Sequence, residues 1–63
     1  MNLKDVREAL LQELGDSATI SFINTRLILA TGVDLYQEEE PETGQMERLL
    51  VALREMGYSA GEK

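Results

Sequence analysis

Apolar positions along the chain fall into three stretches, two of them patterned and one nearly continuous. In the first, Leu3, Val6, Leu10 and Leu14 recur at helical spacing and Leu11 widens the stripe. Lys4, Asp5, Glu8, Gln12 and Glu13 take the remaining faces. The spacing predicts a helix over 3–14. Asn2 is placed to cap its start, Asp5 favours the positive end of the helix dipole, and Gly15 can end it with a left-handed residue.

The middle stretch, 17–35, is the most apolar part of the chain. It holds Ile20, Phe22, Ile23, Leu27, Ile28, Leu29, Ala30, Val33 and Leu35, with Arg26 the single charge before Asp34. So many large apolar side chains call for cover, and we expect this segment to be the buried centre. Read as a helix over 18–31, after an N-cap at Asp16 or Ser17, it sets Ile20, Ile23, Leu27 and Ala30 or Thr31 on one face. Phe22, Ile28 and Leu29 then fall elsewhere on the wheel. Such a helix is apolar nearly all round. It suits a sandwiched central element or one that pairs with a second copy. The β-branched Thr19, Ile20, Ile23, Thr25, Ile28 and Thr31, with a turn at Asn24-Thr25, allow a competing α+β reading with a small hairpin at 18–31. The glycine stops at Gly15 and Gly32 favour the helix.

Val33 to Leu35 reads as an extended piece returning to the core, with Tyr36 after it. Gln37 to Thr43 reads as a mobile polar loop carrying Glu38, Glu39, Glu40 and Glu42 around Pro41, which biases Glu40 away from helical geometry. The third stretch is again patterned. Met46, Leu49, Leu50, Leu53 and Met56 make a stripe, with Glu47, Arg48, Arg54 and Glu55 outside it. A helix is predicted over 43–56, capped by Thr43 or opened by Pro41 and stopped at Gly57, after which Tyr58 folds back. Residues 59–63 read as a frayed tail. The expected architecture is mainly α: a compact three-helix domain over 1–58 with a long acidic loop between the second and third helices.

Composition narrows the chemistry. Sixty-three residues make one domain, and a core this small supplies only ~3–5 kcal/mol net. With neither Cys nor His, disulfides and the usual zinc and iron–sulfur sites are ruled out, and so are the commonest general base and the best nucleophile. The five glycines form no phosphate loop, and the carboxylates of the acidic loop are too wet for general acid work. We therefore expect no catalytic activity and no cofactor. Asp34, Glu38, Glu39, Glu40 and Glu42 could in principle gather a hard cation, but they lack the order of a calcium loop, and no metal is expected. No basic leader or long apolar run marks an exported or membrane-spanning chain, so a cytoplasmic location is expected.

The net charge of −6 and the scattered Lys4, Arg7, Arg26, Arg48, Arg54 and Lys63 speak against nucleic acid as a partner. A helix, a short glycine turn and a helix nevertheless resemble the helix-turn-helix class in outline, and ALREMGYS at 52–59 is similar to the end of a winged-helix core. That resemblance implies a nucleic-acid-binding regulator. It departs after Gly32, where VDLYQEEEPETG stands in place of a recognition helix and its acids repel phosphate. The favoured reading is a small protein–protein interaction module whose cheapest partner is a second copy. Its candidate interface is Phe22, Ile28, Leu29 and Tyr36, with Glu38, Glu39, Glu40 and Glu42 steering a basic partner.

Overall fold

The structure, a computed structural model, describes residues 1–62. Three helices follow in order: α1 (Leu3–Leu14), α2 (Ser17–Thr31) and α3 (Thr43–Glu55), and a 3-10 turn at Ser59–Glu62 closes the described chain. No strand occurs among the described residues, so the hairpin reading of 18–31 is set aside. The local reasons are those of the chain itself. The Asn2 side chain accepts from the Asp5 N–H, and Asp5 accepts from the Asn2 N–H in return, a reciprocal cap. Gly15 and Gly32 end α1 and α2 at φ 70 and φ 77, conformations that cost other residues strain. Between them Asp16 caps α2 by accepting from Ala18 N–H and Thr19 Oγ1, and the β-branched residues are carried in the helix.

The third helix starts at Thr43 as expected and ends one residue early, at Glu55, but its cap differs. Glu42, not Thr43, is the N-cap: it is extended after Pro41, and Gln45 Oε1 accepts from its N–H at 3.4 Å. At the far end Gly57 donates to Arg54 O and Tyr58 to Leu53 O, the paired bonds of a Schellman stop.

The core gathers Leu3, Val6 and Leu10 of α1, Ile20, Ile23 and Leu27 of α2, and Leu49 and Leu53 of α3. Val33 and Leu35, returning after α2, and Ala60 of the 3-10 turn complete it. Ala60 overturns the expected fraying of residues 59–62, while Lys63 lies outside the described residues. Two contacts hold the turn down. The Glu13 carboxylate accepts from the N–H of Ser59 at 2.9 Å and of Ala60 at 3.2 Å. Gly61 lies so close to α3 that a Cβ there would meet Arg54 N at 2.6 Å and the Leu50 carbonyl closer still, so only glycine fits. A composition that reads as tail is here a plug, because its smallest residues are the ones that pack.

Candidate interaction site

One face of α2 is core and the opposite face is open. Ile20, Ile23, Asn24 and Leu27 point inward. Phe22 is 78 % exposed and Leu29 83 %, against 40 % for Ile28 and 53 % for Tyr36. The middle segment is therefore buried along its inner face and not all round, because α1 and α3 both pack against that one side. At about 100° per residue, Ala18, Phe22, Thr25 and Leu29 form a single outer stripe, spaced four, three and four residues apart. Arg26 and Thr19 border it on one side, Ser21 and Ile28 on the other. A shallow recess lined by Ala18, Ser21 and Thr25 lies beside the Phe22 ring. No carboxylate occurs anywhere from Ser17 to Thr31.

Tyr36 is not brought to this face. It lies against α1, with the Arg7 guanidinium 5.6 Å from its ring centre, in a groove it shares with Lys4, Leu11, Ser17 and Ile20. Arg7 is occupied there, since it also donates to the Leu35 carbonyl.

The acidic loop is tethered. Glu40 Oε1 accepts from the Leu3 N–H at 2.8 Å, placing a carboxylate at the positive end of α1. Gln37 accepts from Asp34 N–H and donates to the Glu39 carbonyl. With Glu42 serving as the α3 cap, two of the four glutamates have places in the fold, and Glu38 and Glu39 are left to the solvent. Among the described residues no three carboxylates gather closely enough to hold a metal ion. Residues 33–42 form no helix, so no recognition helix follows Gly32. No helix among the described residues is long and apolar enough to cross a membrane.

The buried polar group that sequence reasoning missed is Asn24. Its Oδ1 accepts from the buried Leu35 N–H at 2.8 Å, and its amide donates to Asp34 Oδ1 at 2.8 Å. The same Asp34 oxygen accepts from Tyr36 N–H at 2.9 Å. Asn24 thus holds the returning strand-like piece against the inner side of α2, about 200° round the helix from Phe22. The amide of Asn24 first, and the Tyr36 N–H second, hold the Asp34 carboxyl below its ordinary value, with desolvation opposing them weakly. A carboxylate whose pKa is lower folded than unfolded adds stability above the unfolded value, and that stability is lost as pH falls through the folded one. We expect Asp34→Asn, which keeps an acceptor oxygen but cannot titrate, to flatten the decline in melting temperature between about pH 4 and pH 2. Parallel acid limbs for the variant and the natural chain would contradict this account.

Comparison of the chain with protein-family models, with curated proteins and with solved structures finds no match.

Proposed function

We propose that this protein is a non-catalytic interaction module that docks another protein surface on the outer face of α2. The observation that supports the reading is the pairing of Phe22 and Leu29, seven residues apart and more than three-quarters exposed on the same side of one helix. Large apolar side chains scattered singly on a surface need no explanation, but two aligned on a face without a single carboxylate form a patch, in a chain whose net charge is −6. An aromatic and a leucine at this spacing match the anchors by which helices seat in partner grooves. Tyr36, engaged with Arg7, is not part of this site.

Replacing Phe22 by a photo-crosslinking phenylalanine analogue tests the site in cells. The expected result is a light-dependent covalent adduct that is absent when the same analogue replaces Gln12, an exposed residue of α1. Equal labelling at the two positions, or none at Phe22, removes the reading.

A further inference from the structure

We infer that the occupant of the outer α2 face is the same face of a second copy, with the two helices running antiparallel. The inference rests on the docking reading above and names its partner. The stripe Ala18–Phe22–Thr25–Leu29 alternates small and large residues. An antiparallel pair related by a two-fold axis, centred between positions 23 and 24, sets Phe22 across from Thr25 and Leu29 across from Ala18, in both directions at once. Each large side chain then meets a small one, and Phe22 of one copy enters the recess beside Ala18, Ser21 and Thr25 of the other. A parallel pair sets Phe22 on Phe22 and Ala18 on Ala18, crowding one layer and emptying the next. Spacings of four and three residues are those of a coiled-coil seam.

Charge supports the same arrangement. All twelve Asp and Glu residues of each copy lie outside α2, so two outer faces meet without apposing carboxylates. In the antiparallel pair the bordering residues match side to side. Arg26 of one copy comes alongside Thr19 of the other, whose hydroxyl is held at 3.0 Å by the Asp16 carboxylate. A guanidinium is thereby directed toward an acid at a helix start. On the other border Ile28 of each copy covers Ser21 of its partner. Antiparallel packing also sets the positive start of each helix dipole beside the negative end of the other.

Area sets the strength. A standard stable interface takes ~800 Å² from each partner, about a fifth of this chain's 4162 Å² of surface. A single 15-residue helix, ~22 Å long, offers less than that. The pair is therefore weak and reversible, with a dissociation constant on the order of 100 µM.

Sedimentation equilibrium from about 10 µM to about 1 mM should show the mass rising toward two copies. Phe22→Glu should raise the dissociation constant at least tenfold without changing the far-ultraviolet circular dichroism, since the side chain lies outside the core. The chain has no natural cysteine, so orientation is tested by mixing Ser21→Cys with Ile28→Cys and oxidising gently. The mixed disulfide should well exceed the half share that random pairing gives. A single-copy mass throughout the range overturns self-pairing, and a mixed share of half or less overturns the antiparallel register. Self-pairing and docking fail separately: a monomer that still gives a heavier cross-linked adduct at Phe22 keeps the docking face and loses the second copy, whereas a monomer with no adduct loses both.

Discussion

Leu27→Ala should unfold this domain or come close to it. Leu27 is fully buried on the inner face of α2, in the one cluster that draws on α1, α2 and α3 together. Truncating such a leucine costs ~2–5 kcal/mol, because the transfer energy of the lost methyls is joined by the cost of the cavity they leave. A core of this size supplies ~3–5 kcal/mol in all, so the substitution removes most or all of the margin. Far-ultraviolet circular dichroism at 25 °C should show lost helix, or urea unfolding a midpoint reduced by more than half. A melting temperature within a few degrees of the natural chain would mean that the core is built around other residues.

Asn24→Ala should be the most damaging change among polar residues. The Leu35 N–H would lose its acceptor inside the protein, and an orphaned buried donor costs ~1–3 kcal/mol. The Asp34 carboxylate would at the same time lose the amide that does most to lower its pKa, so the acid-sensitive part of the stability should shrink with it. Asn24→Asp separates the two roles. It keeps an acceptor for Leu35 but sets a second carboxylate against Asp34, so the variant should gain stability on mild acidification while Asn24→Ala does not. Urea unfolding at about pH 7 and about pH 4.5 distinguishes them. Equal losses for both variants at both pH values would show that Asn24 acts by packing alone.

Each helix was readable because its signals are local. Gly15, Gly32 and Gly57 end helices through their own backbone freedom, Asn2 and Asp16 begin them through neighbours two or three residues away, and the stripes of α1 and α3 lie within a few turns. What escaped reading depends on residues distant in the chain. Asn24 looked like a turn former because its partners, Asp34 and Leu35, lie ten and eleven residues on and meet it only after Gly32 reverses the chain. Ala60 and Gly61 looked like tail because smallness, which suggests disorder in an isolated segment, is what lets a turn lie flat on α3. Helical spacing alone sets Phe22 and Leu29 apart from the inner stripe. That they stay uncovered within one chain depends on α1 and α3 sharing a single side of α2, which periodicity cannot reveal. Apolar character alone groups Tyr36 with them, whereas its contact with Arg7 places it against α1.

The clasp between Glu13 and the amides of Ser59 and Ala60 bears on how the molecule is made. It joins the first helix to a segment more than forty residues later, and Ala60 fills the last gap in the core. A nascent chain on the ribosome cannot close that gap until residue 60 has left the exit tunnel. Before that point the helices form only transiently, and while residue 60 is still in the tunnel the unsealed interior is open to chaperones and proteases.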